Sequence, residues 1–328
     1  MSDARSRYAL VADIGGTNAR FALIDCAEEA VNLIETRSLP GDHFDNLQQA
    51  IEHYLDETGA APRRAALAVA SPVQGDEIRL TNRAWSFRRS ELQRRLSLDE
   101  LHVLNDFGAV AWAVPALAKQ DRIHLHGPEL AHLRGPISVI GPGTGLGVGL
   151  LVGTDQGSWQ VLETEGGHMS FAPIGDEEQA IARWIGAHFD RVSIERVLNG
   201  EGLSHIAAAL EAAHGTEPLR DPANIVAAAL DGSDAVARRT LDRYCAVLGS
   251  VAGDLALAHG ARSLVIAGGI VPRFVPFLRQ SAFHQCFLDK GRLADYLDAV
   301  TIEVLGHPQP GLFGAAAALR QFHPADFG

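Results

Sequence analysis

Two similar stretches of apolar and polar positions stand out along the chain. In the first, apolar runs at 8–11 and 21–24 flank a turn that contains a glycine pair. In the second, apolar runs at 136–140 and 148–152 flank a turn with four alternating glycines. Each pattern predicts a strand, a tight turn and a second strand. Because one hairpin opens each half of the chain, we expect an internally duplicated architecture.

The rest of the chain alternates between short apolar runs and segments with helical periodicity. Between the hairpins, the pattern predicts strands near 31–38, 65–70 and 101–104 and helices at 44–58, 90–96 and from 107 onward. After the second hairpin, it predicts helices at 177–189, 193–198, 202–214, 222–229 and 234–259 and a strand at 264–267. This alternation indicates an α/β protein in which helices cover mixed sheets.

Composition, charge and cysteine usage narrow the class of protein. The 328 residues are enough for two domains, and the net charge of −12 argues against a nucleic-acid partner and an anionic membrane surface. The longest apolar stretch, around 109–118, is too short to span a bilayer. Cys26, Cys245 and Cys286 are far apart and lack metal-site spacing, which favours a reduced compartment. No secretory signal is visible, so we expect a cytoplasmic protein.

The turn of the first hairpin carries groups that suit an anion and a cation together. It contains Ala12, Asp13, Ile14, Gly15, Gly16, Thr17 and Asn18. The glycines let the backbone approach a ligand, the turn N–H groups form an anion nest, and Thr17 offers a hydroxyl. Asp13, at the strand end, is placed to hold a cation, which favours phosphate with magnesium. The segment is neither a Walker A loop nor a dinucleotide fingerprint, and many hairpins of this composition bind nothing.

The turn of the second hairpin strengthens the phosphate interpretation. It contains Gly141, Gly143, Thr144 and Gly145. Alternating glycines cost backbone entropy that a simple connector does not require. Two phosphate-binding hairpins facing each other across a cleft would hold a polyphosphate from both sides.

Five further positions carry candidate chemistry, each with a structural alternative. Asn105 and Asp106 end a strand and open a helix, so Asp106 is a candidate N-cap and also a candidate carboxylate at the edge where α/β folds build their sites, and the two roles are compatible. Glu165 and His168 flank a glycine turn that is either a polar surface loop or a set of groups for a polyhydroxylated ligand. Glu195 lies in a predicted helix, where a solvated carboxylate is the default.

Two other patterns are less informative locally. Gly268 and Gly269 follow a strand and either let a flat ligand approach the backbone or form a plain turn. His124, His126 and His132 lie in a hinge-like stretch without an acidic or cysteine partner, so we do not expect them to bind a metal.

Together, these motifs resemble those of a known family. The segments 13–20, 140–147 and 264–269 are similar to the two phosphate loops and the adenosine loop of the actin-like ATPase and sugar kinase superfamily. The segments 104–107, 165–168, 193–200 and 267–273 resemble the signatures of proteobacterial, ATP-dependent glucokinases. The resemblance covers nearly the whole chain from Tyr8 onward.

The resemblance implies a fold, a domain division and an activity. The fold is two-lobed and actin-like or hexokinase-like, with duplicated mixed sheets flanked by helices and a cleft between the lobes. The domains are a small one of 1–116 plus 309–328 and a large one of 117–308. The implied activity is phosphorylation of glucose at its 6-hydroxyl by ATP with Mg²⁺, in a homodimer.

The same resemblance implies roles for individual residues. Asp106 is the general base, and Asp13 holds Mg²⁺ through water. The sugar hydroxyls are bound by Asn105, Asp106, Glu165, His168 and Glu195, with Thr81 and Asn82 as further contacts.

Two alternatives stay open. One is a kinase for another hexose, such as mannose, fructose or glucosamine. The other is a non-catalytic, nucleotide-dependent regulator on the same fold. Such a regulator would keep the phosphate hairpins but would not need the acidic and histidine residues of the sugar set, which favours an enzyme.

Overall fold

A computed structural model of the chain describes residues 7–28, 30–81, 83–153, 158–211 and 219–322. The chain divides into two compact units. The first comprises Met1–Leu117, Thr154–Glu163 and His307–Gly328, and the second comprises Ala118–Gly153 and Thr164–Gly306.

Strands and helices alternate along the chain, as the sequence pattern predicts. The strands are β1 (Tyr8–Ile14), β2 (Asn18–Asp25), β3 (Leu33–Pro40), β4 (Arg64–Val69), β5 (Glu77–Arg79), β6 (Ser86–Arg88), β7 (Glu100–Asn105), β8 (Arg122–His126), β9 (Ile137–Pro142), β10 (Leu146–Gly153), β11 (Trp159–Thr164), β12 (Ser263–Ile266) and β13 (Thr301–Leu305). The helices are α1 (Leu47–Thr58), α2 (Arg89–Arg95), α3 (Asp106–Ala113), α4 (Gly175–His188), α5 (Glu195–Leu198), α6 (Gly200–Glu211), α7 (Pro222–Asp231), α8 (Ala235–His259), α9 (Val275–Gln280), α10 (Phe283–Leu288), α11 (Ala294–Asp298) and α12 (Pro310–Phe322).

The two main sheets share one arrangement of strands. The first has the order β3-β2-β1-β4-β7, with β1 antiparallel to β2 and parallel to β4. The second has the order β11-β10-β9-β12-β13-β8, with β9 antiparallel to β10 and parallel to β12. Each sheet therefore contains one of the glycine-rich hairpins followed by parallel crossover strands. This confirms the duplicated α/β architecture.

The register of the parallel strands gathers their carboxyl ends at one edge of each sheet. In the first sheet Ile14 is opposite Val69, and Val69 is opposite Asn105. In the second sheet Ile140 is opposite Ile266. The segments that follow these strands are therefore neighbours, at the edge where α/β folds place their ligands.

Apolar helices cover the faces of the first sheet. The buried side chains of α12, such as Leu312 and Leu319, pack against Val11 and Ile24 on one face. On the opposite face, Tyr54 of α1 is buried and contributes to a second cluster. Burial of this apolar surface is the main favourable contribution to folding of the unit.

Several boundaries differ from those expected. Helix α1 begins at Leu47 rather than at residue 44, because the Asn46 side chain accepts a hydrogen bond from the Gln49 N–H at 3.0 Å and caps the helix. His124 and His126 do not lie in a hinge: they belong to β8, which pairs antiparallel with β13. The predicted helix at 202–214 corresponds to α6, and its last three residues lie outside the described ranges.

Across the described ranges, none of the helices combines the length and apolar character that crossing a bilayer requires.

Candidate active site

The first glycine-rich turn joins β1 to β2 and is closed by backbone hydrogen bonds. The Gly15 N–H donates to the Asn18 carbonyl at 3.0 Å, and the Gly41 N–H donates to the Thr17 carbonyl at 2.9 Å. These contacts fix the turn at the carboxyl edge of the first sheet. The predicted strand, turn and strand over 8–24 is confirmed.

Arg83 supports this turn and was not identified from the sequence. Its guanidinium donates to the Gly16 carbonyl from Nη2 at 2.8 Å and from Nε at 3.2 Å, and it stacks on the Trp85 ring at 4.0 Å. Burial lowers the pKa of Arg83, with Asp42 acting in the opposite direction. A Cβ atom at Gly41 would lie 1.8 Å from this guanidinium, so a side chain at residue 41 would displace Arg83 from its present position.

Near the end of β1, the Asp13 carboxylate lies beside the Arg20 guanidinium and the N-terminus of α12. Its Oδ2 lies 3.2 Å from Arg20 Nη1, and its side chain is only 18% exposed. Its carboxyl also lies beside Gly311 in the first turn of α12, where a Cβ would be 3.0 Å from Asp13 Cγ. The helix N-terminus favours the anion. Burial raises the pKa of Asp13, and the Arg20 charge opposes that shift.

These groups fit Mg²⁺ chemistry at the first turn. Mg²⁺ in proteins keeps several waters and uses one or two carboxylates together with phosphate oxygens. Asp13 provides one carboxylate next to a turn of backbone N–H groups that suits phosphate. The donor set is therefore suited to the metal and its phosphate partner.

Asn105 and Asp106 form the junction between β7 and α3. Asn105, not Asp106, is the N-cap: its Oδ1 accepts hydrogen bonds from the N–H groups of Phe107 at 3.0 Å and Gly108 at 3.2 Å. The Asn105 amide also donates to the Ser71 carbonyl at 3.3 Å. Asp106 is the first helical residue, and its Oδ1 accepts from the Phe107 N–H at 2.8 Å. The N-cap is therefore Asn105 rather than Asp106, although the Asp106 carboxylate also accepts from one N–H of the first turn.

The first sheet brings Asp106 and the Asp13 turn to the same edge. Strand β4 lies between β1 and β7, and neighbouring strands are about 4.8 Å apart, so Ile14 and Asn105, which share a register, are about 10 Å apart across the sheet. Thr81 also lies at this edge, because its hydroxyl donates to the Ala70 carbonyl at 2.7 Å. Asn82 lies outside the described residues.

The second glycine-rich turn joins β9 to β10 and is supported by the start of α6. The Gly143 N–H donates to the Gly145 carbonyl at 2.9 Å. The Gly200 N–H donates to the Gly143 carbonyl at 2.9 Å, and the Asn199 amide donates to the Thr144 carbonyl at 3.2 Å. Asn199 and Gly200 were not singled out from the sequence. In the sequence, these two residues are marked only by their position at the end of the 193–200 segment, which resembles a family signature.

Glu195 contacts this second turn directly. Its Oε2 accepts a hydrogen bond from the Leu146 N–H at 2.8 Å. A Cβ at Gly145 would lie 2.6 Å from the same oxygen. The default of a solvated helix carboxylate is therefore wrong, because this side chain packs on the turn.

Glu165 and His168 lie at the two ends of a tight turn that packs on β10 of the second sheet. Glu165 Oε2 and His168 Nε2 are 3.9 Å apart, and both side chains are exposed. A Cβ at Gly167 would lie 2.2 Å from the Leu146 carbonyl oxygen, so the turn needs glycine to pack on β10. The Ile194 N–H donates to the Met169 carbonyl at 2.9 Å, which joins this turn to the Glu195 segment.

A cavity of about 510 Å³ lies where these two segments meet. Its lining consists of His168, His188, Phe189, Asp190, Arg191, Ser193, Glu195 and Arg196. Its volume is in the range of small-molecule sites, and its lining is mostly polar. Such a cavity suits a small polyhydroxylated ligand.

Gly268 and Gly269 follow β12 and lie beside the second turn. Gly268 has a φ of +87°, and a Cβ there would lie 2.2 Å from the Pro142 carbonyl oxygen. Both the backbone conformation and the close approach require glycine. The structure thus brings together Gly268, the 141–145 turn and Glu195 within the second unit.

The duplicated sheets, each with a glycine-rich turn at its carboxyl edge, define the actin-like ATPase and sugar kinase class. The family model described as "Glucokinase" matches residues 10–322. The chain belongs to the glucokinase family.

Individual relatives agree with this assignment. The glucokinase of Hahella chejuensis is 43% identical, over 96% of this chain and 98% of its own length. The glucokinase of Yersinia pestis strain Pestoides F is 41% identical, over 96% of this chain and 97% of its own length. The crystal structure of a glucokinase from an Antarctic psychrotroph superposes with a TM-score of 0.86 at 38% identity, covering 96% of this chain and 99% of that one.

Proposed function

We propose that this chain transfers the γ-phosphoryl group of Mg²⁺-ATP to the 6-hydroxyl of D-glucose. The observation that carries the proposal is the single sheet edge that holds both Asp106 and the Asp13 turn. A phosphate-binding turn and a carboxylate that accepts a proton are the two groups this reaction needs. Family membership over 10–322 supports the choice of glucose.

The nucleotide is bound by the two turns and the glycine pair after β12. Backbone N–H groups of 12–18 and of 141–145, with the hydroxyls of Thr17 and Thr144, bind phosphate oxygens. Gly268 and Gly269 let the adenosine approach the backbone. Asp13 would hold Mg²⁺ through water, and the bound ion would supply charge neutralisation for the phosphates.

The sugar is bound by hydrogen bonds to its hydroxyls. The residues proposed for this are Asn105, Asp106, Glu165, His168, Glu195, Thr81 and Asn82. Carboxylates accept hydrogen bonds from hydroxyls, so a sugar that lacks the matching hydroxyl leaves a charge unpaired and binds less well.

Asp106 acts as the general base. Phosphoryl transfer passes through a loose transition state, so catalysis depends mainly on positioning and electrostatics. An aspartate carboxylate is ionised at neutral pH and accepts the 6-hydroxyl proton as the oxygen–phosphorus bond forms. Its place as the first residue of α3, at the sheet edge that also holds the first turn, supports this role.

We further propose that the protein is cytoplasmic and homodimeric. The dispersed cysteines, which favour a reduced compartment, support the first point, and family resemblance alone supports the second. Sedimentation equilibrium tests the second point, since a dimer gives twice the chain mass at micromolar concentration.

A coupled ATP assay over a panel of hexoses tests the activity and the base together. Asp106→Asn keeps an oxygen for the Phe107 N–H but removes the base. We expect kcat with glucose to fall by about 10²- to 10⁴-fold, with a smaller change in KM. Asp56→Asn, on the exposed surface of α1, is the matched control and keeps wild-type turnover.

Three outcomes would contradict parts of the proposal. Near wild-type turnover in Asp106→Asn excludes this residue as the base. A higher kcat/KM for another hexose makes the protein a kinase for that sugar. Steady ATP hydrolysis that no hexose changes favours the nucleotide-dependent regulator.

A further inference from the structure

The second unit contains a cluster of metal-ligating side chains that the phosphoryl-transfer site does not use. It consists of His126, His284 and Asp298, which come from β8, α10 and α11. One ring nitrogen of each histidine and a carboxylate oxygen of Asp298 all lie within 4.8 Å of one another. This cluster could not be recognised from the spacing of residues in the sequence, because 172 residues separate His126 from Asp298.

The contacts inside the cluster leave one donor atom unused. His126 Nε2 and Asp298 Oδ1 are 3.1 Å apart, and the two imidazole rings are in contact, tilted by 40° with centroids 3.7 Å apart. His284 Nε2 is shielded from solvent and makes no hydrogen bond to any described residue. A buried polar atom without a partner is costly, so a ligand for this nitrogen would stabilise the fold.

The three positions are fixed by their buried neighbours. Phe283, next to His284, is buried, and a Cβ at Gly249 of α8 would lie 2.0 Å from the Phe283 carbonyl oxygen. Leu297, next to Asp298, is fully buried. His126 is paired with Ile302 in the second sheet. Such support keeps the donor atoms together before a ligand binds.

We propose that His126, His284 and Asp298 bind a divalent transition metal, with Zn²⁺ as the best match. Two imidazole nitrogens and one carboxylate are a common ligand set for Zn²⁺, with water as the fourth ligand. The ligand atoms of a tetrahedral Zn²⁺ lie about 3.4 Å apart. Side-chain rotations that move the three ligand atoms by about 1 Å would therefore bring them to this spacing. The Asp298 side chain is 61% exposed, which gives the ion an entry path.

The bound metal would crosslink α10 and α11 to the edge strand β8, because each of these elements provides one ligand. Its role is therefore to stabilise the second unit, separately from phosphoryl transfer. Metal binding free energy adds to folding free energy when the folded site alone binds the ion.

Cobalt spectroscopy and zinc calorimetry test the proposal. Protein without a polyhistidine tag is stripped with a chelator and titrated with Co²⁺ in the absence of nucleotide. We expect one equivalent of Co²⁺ with the intense visible absorption of four-coordinate geometry, and its displacement by Zn²⁺. His284→Gln and Asp298→Asn should each weaken Zn²⁺ binding by about 100-fold or more.

Matched controls separate this site from other carboxylates and histidines. Asp295→Asn, on the same helix α11, and His132→Gln, an exposed histidine of the same unit, should bind Zn²⁺ as the wild type does. Zn²⁺ should raise the melting temperature of the wild type and both controls but not of the two cluster variants.

Two results would overturn the proposal. One is an absence of four-coordinate Co²⁺ absorption in the wild type. The other is unchanged Zn²⁺ affinity in the cluster variants. If circular dichroism shows that one of the two cluster variants is unfolded, the Zn²⁺ affinity of the other variant tests the proposal, since the two residues lie on different helices.

Discussion

Glu195 serves two parts of the candidate site with one carboxylate. One oxygen accepts the Leu146 N–H at 2.8 Å, and the side chain also lines the cavity with His168. A change at this residue therefore acts on the second phosphate turn and on the cavity at once. The nature of the replacement decides which effect dominates.

Two substitutions at Glu195 separate these effects. Glu195→Gln keeps an oxygen for the Leu146 N–H but loses the charge, so we expect kcat/KM for glucose to fall about 10- to 100-fold with little change in the KM for ATP. Glu195→Ala also frees the turn and should raise the KM for ATP several-fold. Steady-state kinetics in both substrates measure this, with exposed Glu201→Gln as the control. An unchanged KM for ATP in the alanine variant would show that the turn does not depend on Glu195.

His259 makes stability depend on pH. Burial lowers the pKa of its imidazole, and its Nδ1 lies 3.0 Å from the hydroxyl of Ser138. The unfolded chain then binds more protons than the folded one, so this contribution to stability is intact above pH about 6.5 and is lost as the pH falls below it. Compared with the wild type, His259→Gln should lose less stability between about pH 7 and 5.5.

Urea unfolding at several pH values measures this difference. His132→Gln, an exposed histidine, should keep the wild-type dependence. Parallel pH curves for the wild type and His259→Gln would assign the dependence to other groups.

At this scale, the local sequence pattern predicted where some site candidates lie in the fold, and their chemical roles stay predictions. Asp13 and Asp106 each stand at a strand end beside a turn or helix start, and such positions can be recognised locally. Arg83 could not be predicted in the same way, because its contact is with Gly16, 67 residues earlier. Asn199 acts on Thr144, 55 residues away, so its effect is likewise non-local.

At the scale of elements, α12 and α3 pack with backbone in contact. A Cβ at Gly314 of α12 would lie only 1.7 Å from the Ala109 carbonyl oxygen of α3. The absence of a side chain at Gly314 therefore sets how closely these two helices approach. Glycine in a helix otherwise costs about 1 kcal/mol relative to alanine.

Gly314→Ala should consequently destabilise the protein despite its better helix propensity. We expect a loss of about 1–3 kcal/mol in the free energy of unfolding, because the helices must separate. Gly186→Ala, at an exposed position in α4 with only an ordinary contact to Val192, should instead gain about 0.5–1 kcal/mol. Denaturant titration compares the two. A stabilising Gly314→Ala would mean that the helices part at little cost.

Elements with strong periodicity were predictable, and their ends were less so. The long apolar face of α8 matches the predicted 234–259 closely, because Asp234 caps its first turn by accepting from Val236 and Ala237. Strand β8 was missed, since it is short, contains histidines and arginine and forms only through pairing with β13.

At the scale of the molecule, each unit has its own core. The largest cluster, which includes Tyr244 and Phe274, belongs to the second unit, and the cluster with Phe21 and Tyr54 belongs to the first. In the first unit, α12 packs on a face that would otherwise expose Val11 and Ile24. Loss of this helix should therefore affect one unit more than the other.

A chain that ends after Gln309 tests this. We expect hydrogen exchange protection to be lost in β1 and β4, because their apolar face becomes exposed, and to be kept in β9 and β12. Hydrogen exchange with mass spectrometry measures both units in one sample, with the full chain as the reference. Retained protection in β1 would show that the first sheet is stable without α12.

The placement of α12 also has a consequence for synthesis on the ribosome. The first unit begins at the N-terminus, but its covering helix is made only after roughly 190 intervening residues. At 5–20 residues per second, the nascent first sheet waits about 10–40 s with one apolar face unprotected. Apolar surface that stays exposed for this interval makes a nascent chain prone to aggregation. Slow translation upstream of residue 307 should then lower the yield of folded protein.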